Sequence, residues 1–351
     1  MMFPDIDTPA VLVDLDVAEA NIDRFQAHCD SYGLAVRPHI KTHKLPMLAK
    51  RQIAAGAIGI TCQKISEAEA MISEGGIEDI LLTYNILGAA KLSRLKELAG
   101  RVRVTVVADN ATVVQGLAAA FGDGSPPLRV LVECDTGAAR CGVATPEAAL
   151  ALATQITEAP GLCFAGLMTY PPVGQEADVQ QWLARAKELI EGAGHPVEVI
   201  SNGGSPGMWQ AETVPIATEY RIGTYAYMDR SLAARGVCDW TDCALTVLAT
   251  VISVPAADRA VIDAGSKVLT SDLLGLEGHG HVLGRPDIVI AGLSEEHGVL
   301  TAPDIGLKPG DRLRIVPNHA CVVANMLDHV ELVRGATHLE RKEVVARGQV
   351  W

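Results

Sequence analysis

From the N-terminus to about residue 236, short apolar runs alternate with stretches of helical period. Ala10–Leu15 reads as a strand, and Asp16 with Glu19 opens a helix over Val17–His28 in the manner of a capping box. Strand-like runs follow at Leu34–Ile40, Ile58–Cys62, Ile80–Thr83, Val102–Val107, Leu128–Glu133, Cys163–Met168, Val197–Ile200 and Ile216–Arg221, which makes eight. Between most of them lie helical patterns at Leu45–Ala54, Ile65–Ser73, Ala89–Leu98, Ala111–Ala120, Glu147–Thr157 and Val179–Glu191. Thr145 and Pro146 supply the cap and first position of the helix at Glu147–Thr157. This rhythm predicts an α/β fold that closes into an eight-stranded parallel (β/α)8 barrel; an open doubly wound sheet satisfies the same count.

From Val237 the rhythm changes. Leu245–Val254, Arg259–Ile262, His281–Leu283, Ile288–Leu293, Arg312–Ile315 and Val330–Val333 read as short strands between Gly, Pro and Asp turns, with no long helix. The expected organisation is a barrel over 17–236 and a second, mostly β domain formed by 1–16 plus 237–351, the strand Ala10–Leu15 pairing with the latter.

Composition narrows the partners. Hydrophobic residues make up 49% of the 351 and aromatic ones only 4%, so the core is aliphatic, as where helices pack on parallel strands. A formal net charge of −13 excludes a basic nucleic-acid-binding face as the leading feature. The longest apolar stretch, around Ala244–Ala257, is too short and too interrupted to span a bilayer, and Met1-Met2-Phe3-Pro4-Asp5 has no basic region followed by an apolar one, so no secretory signal is expected there. Eight cysteines with no CxxC pair suggest neither a disulfide framework nor a zinc ribbon. These features predict a cytoplasmic protein with no membrane partner and a small-molecule ligand.

The chemistry concentrates in Arg37-Pro38-His39-Ile40-Lys41-Thr42-His43-Lys44, at a strand-to-helix turn. A lysine at the end of a strand, beside other cations, is a usable amine nucleophile and Schiff-base former. In a parallel barrel, the loops leaving the C-terminal strand ends share one face. Here they carry Lys41, Gln63, Asp135-Thr136-Gly137 with Arg140, Tyr170, Ser201-Asn202-Gly203-Gly204-Ser205, and Gly223-Thr224. The last two loops offer unhindered backbone amides with hydroxyls beside them, a pattern suited to a phosphate. A phosphate cradle facing a Schiff-base lysine describes a pyridoxal phosphate site. His319-x-Cys321 places an imidazole and a thiol on one face if the segment is a strand, where they could share a cation.

Four motifs in order, namely Arg37–Lys44, Asp135-Thr136-Gly137 with Arg140, Ser294-Glu295-Glu296-His297-Gly298, and Pro317-Asn318-His319-Ala320-Cys321, make the whole chain resemble fold-type III pyridoxal phosphate enzymes. Within that alanine racemase-like class, the similarity is to the D-threonine aldolase and D-serine dehydratase branch. The resemblance implies that Lys41, with Lys44 as the alternative, carries pyridoxal 5'-phosphate. It further implies that Arg140 contacts the ring hydroxyl, that Gln63, Tyr170 and Asn202 lie about the cofactor, and that Gly204, Ser205, Gly223 and Thr224 bind its phosphate. His319 and Cys321 would hold a divalent metal, zinc or manganese, with Glu296 or His297 in support; His43 would serve as a base near the substrate β-hydroxyl, and His39 as a partner that positions Lys41. The implied activity is a lyase on D-3-hydroxy amino acids, by dehydration or by retro-aldol cleavage, in a homodimer. Relatives on the aldolase side carry aspartate where this chain has Cys321, which leans the reading towards dehydration. A D-amino-acid racemase and a non-catalytic pyridoxal phosphate carrier are the competing readings.

Overall fold

In the computed structural model, which describes residues 2–123 and 126–351, the eight apolar runs pair side by side in parallel. The chain begins with β1 (Ala10–Asp14), α1 (Leu15–Asp30), β2 (Ala35–Pro38) and α2 (Pro46–Ala55), and continues with β3 (Ile60–Cys62), α3 (Ile65–Met71), β4 (Asp79–Leu82) and α4 (Ala89–Ala99). Next come β5 (Arg103–Ala108), α5 (Ala111–Phe121), β6 (Leu128–Cys134), α6 (Pro146–Glu158), β7 (Leu162–Thr169), α7 (Glu176–Gly192), β8 (Val199–Asn202) and β9 (Glu219–Ile222). The parallel sheet runs β2-β9-β8-β7-β6-β5-β4-β3, and a bridge between His39 and Thr61 joins its two edges. That junction closes the sheet and decides for the barrel over the open doubly wound alternative.

Local chemistry sets the helix starts. Thr145 accepts a hydrogen bond from the Ala148 amide at 3.2 Å with Pro146 in the first helical position, and Asn110 caps α5 by accepting from Val113 at 3.0 Å. Inside the barrel, Leu81, Val107, Leu131, Ala165 and Met168 form one buried cluster.

Towards the N-terminal strand ends, the barrel interior turns polar. Arg37 is 8% exposed; its Nε donates to Glu219 at 2.9 Å and its Nη1 to Asp79 at 2.6 Å. Burial works against the Arg37 charge, but Glu219 and Asp79 outweigh it and hold the guanidinium above its usual pKa. Gly59 makes room for this arrangement, since an added Cβ would lie 2.7 Å from Arg37 Nη1 and 2.6 Å from the Asp79 carbonyl. Arg37→Ala is expected to leave Glu219 buried without its ion-pair partner, with only the Ser201 hydroxyl and the charge of Arg221 to offset it, costing about 3–5 kcal/mol. A urea titration followed by circular dichroism would show the fall in midpoint; an unchanged midpoint would mean that the network contributes nothing to stability.

The second unit comprises residues through Arg24, Thr42–Leu45 and Thr224–Gly348, whereas the barrel unit comprises Phe25–Lys41, Pro46–Gly223 and Gln349–Trp351. These limits give the β unit Val17–Arg24, Thr42–Leu45 and the residues from Thr224 to 236, all placed in the barrel by sequence. Its further elements are α8 (Arg230–Ala233), β10 (Leu245–Ala256), β11 (Arg259–Ile262), α9 (Ser266–Leu269), β12 (His281–Val282), β13 (Val289–Leu293) and β14 (Gly298–Thr301). They end with β15 (Arg312–Val316), α10 (Ala320–Met326), β16 (His329–Arg334) and β17 (Thr337–Glu343). β1 pairs antiparallel with β10 and parallel with β16, as its apolar run suggested. Phe3, Ile6, Ala10, Leu12, Leu248 and Val333 seal that junction in one buried cluster.

β14, β17 and α10 depart from the sequence reading. β17 has an almost wholly exposed face pattern, so no apolar alternation announces it. α10 occupies the segment read as a strand carrying His319-x-Cys321. Its buried residues Ala320, Val323 and Ala324 have helical spacing, and the β-branched pair Val322-Val323 obscures it. His281, unexplained by sequence, stacks on Trp240 with ring centroids 3.9 Å apart.

Candidate active site

Parallel pairing brings the loops after the C-terminal strand ends to one face of the barrel. Lys41 lies there in a 3-10 turn, Ile40–Thr42, and is exposed rather than desolvated. His39 fixes its backbone: Nδ1 accepts from the Lys41 amide at 3.3 Å, so the proton sits on Nε2, 3.3 Å from Gln63 Oε1. Gln63 is itself oriented, donating from Nε2 to the Thr83 carbonyl at 3.0 Å. His39 and Gln63 thus serve as supports for the lysine turn.

After β6, the Asp135 carboxylate accepts from the Gly137 and Ala139 amides at 2.9 and 3.0 Å, shaping the loop that carries Arg140. The Arg140 guanidinium lies 4.5 Å from the centre of the Tyr170 ring, both side chains being exposed. Asn202 ends β8, is 3% exposed, and has a buried Oδ1 with no partner among the described residues. Gly203 has φ +120°, and a Cβ there would come within 2.7 Å of the Tyr220 ring. At Gly204, an added Cβ would meet the Tyr170 ring at 3.3 Å. Ser205, 8% exposed, begins the following turn, and Gly223 follows the neighbouring strand β9. The bare glycine surface and the orphaned Asn202 amide oxygen fit a phosphate-bearing ring cofactor.

Arg221 was missed by sequence reasoning. It is 6% exposed and donates to Ser201 Oγ at 2.7 Å and to the Thr169 carbonyl at 2.5 Å. Burial pushes its guanidinium down to about 10, opposed by Glu219 and Glu133. The available signal was the alternation Glu219-Tyr220-Arg221-Ile222, with charges at one parity of a barrel strand.

In the β unit, His43 is fully buried, and its Nδ1 accepts from the Leu45 amide at 3.1 Å. A neutral ring so engaged carries its proton on Nε2 and is a hydrogen-bond donor there. Lys44 gives its ammonium to Asn325 Oδ1 at 2.6 Å, which makes it a poor alternative to Lys41.

His319 is the N-cap residue of α10, and Cys321 lies in its first turn, yet the two side chains meet. The hydrogen bond that His319 donates to Cys321, and the negative charge of that sulfur, hold the imidazole up to about 9 against desolvation, with Asp272 and Asp229 adding to the effect. Asp272 Oδ2 sits 2.7 Å from His319 Nδ1, which assigns that proton and leaves Nε2 as the nitrogen that could meet a metal. Thr42, which follows Lys41 in the chain, brings its hydroxyl to 3.1 Å from Cys321 Sγ. Thr224, expected on phosphate through its side chain, brings its hydroxyl to 3.5 Å from the same sulfur. Asp229 Oδ2 accepts from the amide of Ala320, between the pair, at 3.0 Å.

No group of three or more His, Cys, Asp or Glu side chains placed to hold a metal occurs among the described residues. Glu295 and Glu296 are exposed and pair with Lys267 at 2.9 and 2.7 Å, and His297 is exposed too. That motif is therefore a solvated turn; Asp272 is the carboxylate that supports His319. Among the described residues, no helix is long and apolar enough to cross a membrane.

The alanine racemase N-terminal domain family matches residues 13–231, and the serine dehydratase domain family matches residues 244–333. A D-threonine aldolase from Arthrobacter sp. is 36% identical, covering 98% of this chain and 93% of its own. The chain belongs to this fold-type III pyridoxal phosphate family. A second member, the 3-hydroxy-D-aspartate aldolase of Paracoccus denitrificans, is 34% identical over 98% of this chain and 93% of its own. The D-threo-3-hydroxyaspartate dehydratase from Delftia sp. HT23 superposes with a TM-score of 0.89 at 31% identity, covering 100% of both chains. Solved forms of that dehydratase include a histidine-to-alanine mutant and, two residues further on, a cysteine-to-alanine mutant in the metal-free form.

Proposed function

We propose that the protein is a pyridoxal phosphate- and divalent-metal-dependent lyase acting on D-3-hydroxy amino acids, and that its reaction is dehydration to a keto acid and ammonia. The observation that carries the choice is the His319–Cys321 pair. It has the spacing of the histidine and cysteine altered in two solved D-threo-3-hydroxyaspartate dehydratase mutants, the cysteine mutant being solved in a metal-free form.

Lys41 would hold the cofactor through its amine, Arg140 and Tyr170 would border its ring, and Gly204, Ser205, Gly223 and Thr224 would receive the phosphate with their backbone amides. Bound pyridoxal phosphate supplies an electron sink for the carbanion at Cα. A metal on His319 and Cys321 supplies Lewis-acid polarisation of the β-oxygen, and the thiolate favours zinc over harder ions. Lys41 takes the α-proton as the Cα–H bond breaks. The β C–O bond then breaks, the proton that Lys41 has taken passes to the departing hydroxyl, which leaves as water, and His43 orients that oxygen by a hydrogen bond from its Nε2–H. Water re-enters in the hydrolysis that releases ammonia and keto acid, so the net change is loss of ammonia.

A second reading, retro-aldol cleavage to glycine and an aldehyde, is favoured by the 36% identity to the Arthrobacter aldolase. Product analysis separates the two. The purified holoenzyme, with zinc or manganese, would be offered D-serine, D-threonine and D-threo-3-hydroxyaspartate. Keto acid with stoichiometric ammonia is the expected result, and glycine with aldehyde would establish the second reading. Neither product, with the cofactor spectrally bound, would defeat both in favour of a racemase or a carrier.

A further inference from the structure

The N-terminal end of the barrel, opposite the loops that carry Lys41, contains a chamber of about 380 Å³ within the size range of small-molecule sites. A parallel barrel of eight strands is ordinarily filled by packed side chains at this level. Here the inward positions are occupied by Leu81, Thr105, Leu131 and Val199 as an apolar floor, and by charged side chains at the rim.

Two polar groups at this chamber have unused capacity. Thr105 is 9% exposed, and its hydroxyl makes no hydrogen bond among the described residues. Arg37, 8% exposed, uses Nε and Nη1 on its two carboxylates, and its Nη2 has no partner among the described residues. The lining holds three arginines, Arg37, Arg103 and Arg129, against the carboxylates of Asp79 and Glu219. Arg129 also reaches Glu198 at 2.8 Å on the solvent side, an exposed pair of the kind a ligand displaces cheaply. Arg103, its side chain 72% exposed, makes only a 3.3 Å contact with Asp79 and is the most available cation at the rim.

We propose that this chamber is a second ligand site and that it takes a short-chain organic monocarboxylate. Its carboxylate lies against Arg37 Nη2 and Arg103, and its hydrocarbon part rests on Leu81, Leu131 and Val199, beside the Thr105 hydroxyl. Arg37 is committed to Asp79 and Glu219 and Arg129 to Glu198, so the loosely held Arg103 is the cation that a single negative charge would meet. For a ligand of this size, the expected dissociation constant is on the order of 1 mM.

The test is a proton NMR titration of butyrate against the holoenzyme, with inorganic phosphate and chloride as separate arms. Saturable binding of one equivalent is expected, weakened at least tenfold by Thr105→Leu, which fills the floor, and by Arg103→Gln at the exposed rim. Should Thr105→Leu not fold, Arg103→Gln alone decides. Absence of saturable binding, or binding that both variants leave unchanged, would overturn the assignment. So would equal binding of phosphate or chloride that survives loss of the Thr105 hydroxyl, since that describes an ion at the rim and not a carboxylate in the chamber.

Discussion

Replacing Lys41 with alanine is expected to erase the visible absorption of the lysine-bound cofactor and to lower turnover by at least ~10³-fold, within the range attributed to a single proton-transfer group. Both effects follow from one amine with two tasks, holding the cofactor and moving the α-proton. The control is Lys44→Ala. Its ammonium is committed to Asn325 at 2.6 Å, so this variant should keep the absorption band even if it loses stability. Borohydride reduction of the holoenzyme followed by peptide mapping would place the pyridoxyl group on one lysine or the other. Persistence of the band in Lys41→Ala, with the label on Lys44, would reverse the assignment. His39→Ala should fall between these extremes, because its ring holds the Lys41 amide and meets Gln63 and so acts through backbone placement.

What could be read from the sequence was whatever had a one-dimensional period. Barrel strands are buried on both faces, so each appears as an unbroken apolar run, and Asn110 and Thr145 mark helix starts by residue type alone. The lysine turn and the glycine loops were likewise legible, because strand ends fix which loops share a face. Features created by long-range placement were not. Arg221 looks like one more charge at a strand end until β9 closes beside β8 and buries it. Asp272 lies 47 positions before His319, in a segment with no period at all, and only folding brings its carboxylate to that ring. Conversely, Glu295-Glu296-His297 drew notice as a cluster of potential ligands, but exposure and Lys267 account for its carboxylates. The tautomer of His43 was equally invisible, since it is set by a backbone amide two residues away.

Cys321→Ala is expected to reduce metal content and lyase activity together while leaving the cofactor's absorption in place. With two protein ligands in the site, removing one should weaken metal binding by more than the 10–100-fold typical of losing a supporting partner. Metal analysis after dialysis would read this directly, and chelation of the unmodified enzyme should produce the same loss, reversed by added zinc or manganese. Cys321→Asp makes the sharper comparison. A carboxylate keeps a ligand at the position but is harder than a thiolate, so the ratio of manganese to zinc retained should rise. The hydroxyls of Thr42 and Thr224, at 3.1 and 3.5 Å from the sulfur, are placed to stabilise a thiolate and would still find an acceptor in aspartate. Full activity in Cys321→Ala, or undiminished turnover after exhaustive chelation, would remove the metal from the reaction and leave Lys41 and His43 to carry the elimination alone.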